Sequence, residues 1–418
     1  MATTDDKKTT CDEICSHFRM QEIQGECYLL LCKDAPVTVL SQQIRALNLA
    51  YALHGKESIS GKRIAVIGAG AAGLTFAAAS AILGAKWVRV FEKSSQPFDL
   101  QRGSWHRPLH PEIFTWPKRS AWLPVSRLPL FGWTTGRAHN VAGEMVAKFE
   151  LVCAKVNAEA IEKGIVKEQE ELLKVCCHKQ ATVNHAGEII VDVEQKKFDV
   201  VVLAVGFGIE ENPFDLPWNS YWRVDTLDQS LLGESRPGPR TVVVGGGEGA
   251  LIEIVRSCIQ SYDLGALLGQ VLTITLGDDQ LRDEILSIEK LPTNGGDLLQ
   301  HYRDLNTHSA RKLRDILWEK RREGAVVTWL IDQKQEQAFV RWSLPINRFL
   351  VGQLRRLSAE KTEFLEAPRK VDVTDVMRGN GFYVVRFLEG KEHVLKECDN
   401  AVVRYGAQKE PPRTGVFI

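Results

Sequence analysis

Lys62-Arg63-Ile64-Ala65-Val66-Ile67-Gly68-Ala69-Gly70-Ala71-Ala72-Gly73 is the stretch that decides the fold of this chain. An apolar, partly β-branched run leads into glycines spaced Gly-x-Gly-x-x-Gly, and small apolar residues follow. A strand that turns sharply into a helix accounts for every position. Gly68 turns the chain out of the strand, Gly70 lets the backbone approach a pyrophosphate, and Gly73 lets helix and strand pack closely. Ala69, Ala71 and Ala72 complete the cradle, and the start of the helix faces the phosphates with unpaired N–H groups. Leu74, Phe76, Ala77, Ala78, Ala79 and Leu83 continue the helix, and Trp87-Val88-Arg89-Val90-Phe91-Glu92 forms the second strand. Glu92 stands where this β-α-β unit places an acid for an adenosine ribose, with Lys93 beside it.

A second fingerprint lies at Arg240-Thr241-Val242-Val243-Val244-Gly245-Gly246-Gly247-Glu248-Gly249-Ala250. It also follows a β-branched run and opens a helix, expected from Leu251 to about Tyr262. Gly245, Gly247, Glu248 and Gly249 are its candidate nucleotide contacts. Two such units imply two nucleotides, and two nucleotides in one chain suggest electron transfer between them.

The chain has 418 residues, enough for two domains, with 44% hydrophobic and 25% charged residues. Lys plus Arg number 53 and Asp plus Glu 53. That balance supports neither a nucleic acid nor an anionic membrane as partner. The start carries no signal-peptide core, and no apolar run reaches membrane-span length, so a soluble, cytoplasmic protein is expected. The nine cysteines show no secreted-domain framework. Cys11, Cys15, Cys27 and Cys32 cluster, but at spacings outside the zinc and iron–sulfur patterns, so no metal is expected. Cys176-Cys177 sits in an alternating stretch and reads as structural.

Residues 1 to about 25 are polar and expected to be loose, and Tyr28–Cys32 looks like a strand. Val37–Leu53 reads as a short strand and then an amphipathic helix with Ser41 as N-cap. Glu188–Gly208 reads as a hairpin strand followed by the apolar run Phe198–Leu203, suited to a strand buried on both faces of a parallel sheet. Its closing Ala204, Gly206 and Gly208 suit a close backbone pass over a ligand. Val271-Leu-Thr-Ile-Thr-Leu276 reads as the second strand of the second unit, ending in Gly277-Asp278-Asp279. Asp278 would then favour a free ribose 2′-OH, hence NADH weakly over NADPH. Cys398–Gly406 repeats the strand-then-glycine shape of 199–208.

These motifs resemble those of the flavoproteins with two dinucleotide-binding domains, a group that includes pyridine-nucleotide-disulfide reductases and flavin monooxygenases. Gly68–Gly73 with Glu92 looks like their FAD fingerprint, and Leu203-Ala204-Val205-Gly206 like their second FAD segment. Gly245–Ala250 looks like the nicotinamide fingerprint of their inserted domain, and Ala401–Gly406 like the strand that leaves it. The resemblance implies an α/β fold of two Rossmann-like domains, the second inserted into the first. The boundaries would be an N-terminal extension over 1–55, an FAD domain over 56–215, an NAD(P) domain over 238–405, and a returning tail over 406–418. It implies FAD and NAD(P)H as cofactors and a small-molecule substrate.

The departures bear on the reaction. No Cys-x4-Cys pair follows Glu92, where Gln101-Arg-Gly-Ser-Trp-His-Arg107 stands. No Phe-x-Gly-x3-His motif precedes the second fingerprint. The C-terminal Gly-Asp pair that grips the flavin ribityl chain in the group has no counterpart, which points to a shortened relative or to a partner chain, a second copy included, completing the site. Arg102 and Ser104 stand where related flavoproteins meet FAD phosphates.

Residues 101–140 carry Trp105, Trp116, Trp122 and Trp133, six arginines and lysines, and His106, His110 and His139, broken by prolines. Either this is a cationic, aromatic-lined lid over flavin and an anionic ligand, or a loop packed by its own tryptophans with its cations in solvent. His106 and His110 are candidates for a general acid or base. Arg341–Arg348 reads as a turn into a helix over Phe349–Leu357, with a wall of the substrate site as the alternative. The expected activity is FAD-dependent oxidoreduction: hydride passes from a nicotinamide to the flavin and onward to a substrate or oxygen. The alternatives are a non-catalytic dinucleotide sensor and a divergent monooxygenase.

Overall fold

In the computed structural model of the chain, residues 4–30, 37–192, 194–206, 214, 216, 221–222, 238–260, 263–292, 298–332 and 343–405 are described. Two compact units emerge. The first holds the described residues of Met1–Trp105 and Val125–Gly208, the second those of His106–Pro124 and Ile209–Gln408.

The first unit begins with helix α1 (Thr4–Phe18), strand β1 (Glu26–Leu29) and helix α2 (Val39–Gly55). The N-terminal stretch is thus helical where a loose segment was expected, and Cys11 and Cys15 are buried on it. Thr38, not Ser41, is the N-cap of α2, and Val37 and Thr38 form no strand before it. Thr38 Oγ1 accepts from Ser41 N at 3.0 Å while Ser41 Oγ accepts from Thr38 N at 2.9 Å, a reciprocal capping box. Ser41 is the third helical residue, at the other end of the box, and the two hydroxyls are interchangeable by sequence alone. Cys32 lies outside the described residues.

Next come β2 (Arg63–Ile67), α3 (Ala71–Ile82), β3 (Trp87–Phe91), the long helix α4 (Ala138–Glu162), and β4 (Leu173–Cys176). An antiparallel meander of β5 (Ala181–Val183), β6 (Ile189–Val191) and β7 (Glu194–Lys196) leads to β8 (Val200–Leu203). The main sheet is wholly parallel in the order β1-β8-β2-β3-β4. The four valine and leucine side chains of β8 are all buried, as a central strand covered on both faces requires.

The second unit repeats the plan. Strand β9 (Arg240–Val244) turns into α5 (Glu248–Cys258). Four helices follow: α6 (Leu264–Thr275), α7 (Asp279–Ile288), α8 (Leu298–Asp304) and α9 (His308–Glu319). Only then come β10 (Val326–Asp332), α10 (Pro345–Glu360), β11 (Arg369–Arg378), β12 (Tyr383–Glu389), β13 (Glu392–Cys398) and β14 (Asn400–Val403). The sheet order is β13-β12-β11-β10-β9-β14, parallel from β11 to β14 and closed by an antiparallel hairpin.

Val271–Leu276 is therefore not a strand. Val271–Thr275 belong to α6 and Leu276 is its C-cap; the buried positions Leu264, Leu267, Leu268, Val271, Leu272 and Thr275 fall on one helical face. Asp263 caps it by accepting from Ala266 N at 3.1 Å. The neighbour of β9 is β10, with Val244 opposite Leu330.

The tryptophan-rich segment also divides. His106–Pro124 folds with the second unit. There Trp116 is 1% exposed, stacked on Phe349 with centroids 5.4 Å apart, and Trp122 Nε1 donates to Leu272 O at 2.8 Å. Trp133 is buried in the first unit, where its Nε1 donates to Gln43 Oε1 at 2.9 Å. Trp116 and Trp133 are core residues, while Trp122 is half-buried and Trp105 exposed. No helix among the described residues is long and apolar enough to cross a membrane.

Candidate functional site

Each glycine turn follows the strand at which strand order reverses: β2, between β3 and β8, in the first unit, and β9, between β10 and β14, in the second. The bracing is the same in each. In the first unit Gly68 N donates to Phe91 O at 2.8 Å and Ala204 N to Ile67 O at 2.8 Å. In the second, Gly245 N donates to Leu330 O at 2.9 Å and Arg404 N to Val244 O at 2.8 Å. At the opposite strand ends Arg63 N reaches Asp199 Oδ2 and Arg240 N reaches Asp399 Oδ2, each at 2.7 Å. Over the described residues, the likeness of 199–204 to 399–404 read from sequence is thus a repeated supersecondary unit.

The glycines of the first turn have different jobs. Gly68 has φ +105°, and a Cβ there would stand 2.4 Å from Ala204 O. A Cβ on Gly73 would stand 1.9 Å from Gly68 O. Both are demanded by the fold. Gly70 is the N-cap of α3 in extended conformation, and a Cβ there would meet nothing within 4 Å. Its missing side chain leaves open room in front of a helix start that carries no side-chain cap.

Glu92 follows β3. Its Oε2 accepts from Ala69 N and its Oε1 from Ser94 N, both at 2.8 Å, so the carboxylate is held against the turn with lone pairs to spare. Lys93 beside it is exposed. Phe98 N donates to Ala69 O at 3.1 Å, tying the next segment to the turn. That segment carries Arg102, half-buried, and Ser104, fully buried with an Oγ that has no partner. His139 Nδ1 lies 2.5 Å from Arg102 O, and the His139 ring stacks on Trp105 at 3.5 Å. Ala204 abuts the turn and Gly206 follows at φ +67°. An open cradle, an oriented carboxylate and an orphaned buried hydroxyl fit the adenosine and pyrophosphate of a dinucleotide.

The second turn follows the same division. Gly245 has φ +137°, and a Cβ there would stand 2.5 Å from Arg404 O. Gly247 is the N-cap of α5, extended, with nothing within 4 Å of its Cβ position. Trp329 Nε1 donates to Gly245 O at 2.7 Å and fixes the turn from β10. Glu248 and Gly249 open α5. Glu248 accepts from Leu344 N at 2.7 Å, and burial pushes its carboxyl up to about 7. An open cradle in front of an uncapped helix start again fits a pyrophosphate.

Asp278 does not belong to this site. It is the N-cap of α7, accepting from Leu281 N at 2.9 Å and Ser309 N at 3.2 Å. The expected NADH preference loses its basis with it. In the register of Glu92 the second unit has Ile331, and the acid comes one residue later, at Asp332, which takes the Tyr405 hydroxyl at 2.5 Å. Sequence reading missed Asp332 because the helices α6–α9 separate β10 from the fingerprint.

Sequence reading also missed Glu253. It lies fully buried on α5, bonded to Arg107 Nη2, to Arg404 Nη2 at 2.9 Å and to Arg256 Nη1 at 3.4 Å. Burial alone would raise its carboxyl, but the guanidiniums of Arg107, Arg404 and Arg256 outweigh that and hold it well below the usual carboxylate range. Arg107 also donates Nε to Tyr221 O at 2.9 Å and lies over the Tyr221 ring at 4.1 Å. Glu253 thereby anchors the residue whose carbonyl defines the room at Gly245. A lone acid in the apolar run Leu251-Ile-Glu-Ile-Val255 was the available signal.

His106 and His110 both lie in the second unit. His110 Nδ1 accepts from Glu112 N at 3.2 Å, and burial lowers its pKa, so the neutral ring is favoured. His106 is half-buried. Neither shares a unit with the first glycine turn. Cys176 and Cys177 are half-buried, and burial raises the Cys177 thiol.

No family model matches the chain. No curated protein matches it. Among solved structures it is similar to a thioredoxin reductase from Lactococcus lactis, at 13% identity over 82% of this chain and 77% of that one, with a TM-score of 0.36. It is similar to an ornithine N-hydroxylase from Kutzneria sp. 744 in complex with reduced FAD, NADP+ and L-ornithine, at 14% identity over 83% and 81%, with a TM-score of 0.37. It is also similar to the HOCl-induced flavoprotein disulfide reductase RclA from Escherichia coli, at 13% identity over 84% and 57%, with a TM-score of 0.39. The fold assignment rests on the strand orders and paired glycine turns, not on these overall likenesses.

Proposed function

We propose that the chain is a flavin-dependent oxidoreductase supplied by a nicotinamide dinucleotide. The observation that carries this reading is the repeated switch-point geometry: two identically braced glycine turns, each with its middle glycine open in front of a helix start. In the first unit Gly68, Ala69, Gly70, Ala71, Ala72 and Gly73 would cradle the FAD pyrophosphate. Glu92 would take the ribose, Arg102 and Ser104 would reach the phosphates, and Ala204 and Gly206 would let the cofactor pass close to the backbone. In the second, Gly245, Gly247, Glu248 and Gly249 would hold NADH or NADPH. When bound, the flavin supplies the electron chemistry, accepting hydride from a reduced nicotinamide. The chain's own part is to bind, orient and exclude water.

The chain offers no flavin-side cysteine pair in the reductase spacing, so the electrons would go to a small molecule or oxygen and not through a protein disulfide. The test is FAD binding. Protein incubated with excess FAD and desalted should keep flavin absorbance. It should also melt higher, since a ligand at a hundred times its Kd adds about 2.7 kcal/mol to the native state. Protein that keeps no flavin and shows no shift would overturn the reading.

A further inference from the structure

Glu248 stands at the first position of α5, directly after the open Gly247. Its carboxylate reaches across to the start of α10, accepting from Leu344 N at 2.7 Å and Asn347 Nδ2 at 2.5 Å. Asn347 is itself 3% exposed, and its Oδ1 has no hydrogen-bond partner. A buried amide oxygen without a donor is unusual and calls for a physical reason.

We propose that Glu248 is a protonation gate on the second dinucleotide site: neutral, it admits a pyrophosphate at the start of α5, and ionised, it repels one. The proposal rests on the reading of that turn as a dinucleotide site. Asn347 gives each state of Glu248 a full set of partners. The ionised carboxylate takes the Leu344 N–H and the Asn347 amide N–H, as the structure has it. In the neutral acid one oxygen keeps the Leu344 N–H and the other carries a proton. Rotating the Asn347 amide by half a turn brings its idle Oδ1 to that proton. The orphan acceptor is the waiting partner of the protonated state.

The surroundings leave Glu248 free to switch. On α10 the charged neighbour is Arg348, whose Nη2 bonds Glu289 Oε2 at 2.6 Å. On β9 Arg240 stands at the far end with Asp399. Asp332 at the end of β10 takes the Tyr405 hydroxyl. Arg404 after β14 and Arg256 on α5 itself bond Glu253. Burial sets the Glu248 carboxyl near 7, so both forms are populated at neutral pH. An incoming pyrophosphate disfavours the anion, so binding takes up a proton and affinity falls as pH rises. For one proton the limit is about tenfold in Kd per pH unit above the transition.

The experiment uses the full chain saturated with FAD and titrated calorimetrically with ADP-ribose, whose pyrophosphate keeps its charge from about pH 6 to about pH 8.5. Wild type should weaken steadily above neutrality and should take up protons on binding in buffers of different ionisation heat. Glu248→Gln keeps both contacts to α10 in the neutral-state pattern, so it should bind at all pH values as wild type does at low pH. A wild-type affinity flat with pH, binding without proton uptake, or a Glu248→Gln slope equal to wild type overturns the gate. ADP-ribose that binds at no pH overturns the second-site reading with it, while FAD retention judges the first site separately.

Discussion

Replacing Gly247 with valine should remove the second dinucleotide and spare the fold. At Gly247 φ is −92° and ψ −173°, extended backbone that a β-branched residue adopts readily. A Cβ there meets no atom within 4 Å. The folding cost is then that of a poor N-cap residue, about 1 kcal/mol or less relative to glycine. The side chain would fill the room before α5, where a phosphate would take backbone N–H groups. Hydrogen bonds to charged groups are worth about 1.5–3 kcal/mol each. Losing two of them gives about 3–6 kcal/mol, two to four powers of ten in Kd. Gly245→Val is the contrast: φ is +137° and the new Cβ stands 2.5 Å from the Arg404 carbonyl, so the fold itself should suffer. Melting curves and NADH fluorescence titrations on both variants test this. Wild-type NADH affinity in Gly247→Val, or a melting point as low as that of Gly245→Val, would refute the reasoning. The same logic makes Gly70→Val a folded variant that loses FAD.

Glu253→Gln should cost about 3–5 kcal/mol at neutral pH by urea melt, because it leaves buried guanidiniums without their carboxylate. The folded-state carboxyl of Glu253 is depressed, so its stabilisation is present above the ordinary carboxylate pKa and lost as pH falls through the folded value; the gap between wild type and Glu253→Gln should narrow in acid. Replacing Cys176 and Cys177 together with alanine should leave NADH-dependent flavin reduction unchanged, and its loss in a folded double variant would implicate a thiol. Thr38→Ala should lower stability by about 1 kcal/mol by opening the capping box of α2, and an unchanged melt would show that the cap contributes nothing.

Local sequence reading succeeded where the signal was local. Gly68, Gly73 and the β-branched strands before both turns carry steric demands that no other residue type meets, so the two glycine turns were visible without a structure. The apolar run Val200–Leu203 likewise announced a central strand. Failures came where the deciding contact is distant in sequence. Val271–Leu276 looks like a strand in a short window, and only the helical spacing from Leu264 onward reverses that. With α6–α9 placed between fingerprint and second strand, Asp278 was read as the end of that strand, which in fact runs over Val326–Asp332. Trp116 could be read as lid or as packing because nothing in its own segment shows that Phe349 covers it. Glu253 and Asn347 gave almost no signal, since their meaning depends on partners more than a hundred residues away for Glu253 and nearly as far for Asn347.

The most direct test of the central claim is anaerobic reduction of the FAD-loaded protein by NADH and by NADPH, followed as bleaching of the flavin band. The account predicts that at least one nucleotide bleaches the flavin within seconds to minutes, and that Gly247→Val keeps its FAD but no longer bleaches. A wild-type flavin that stays oxidised with both nucleotides would contradict it.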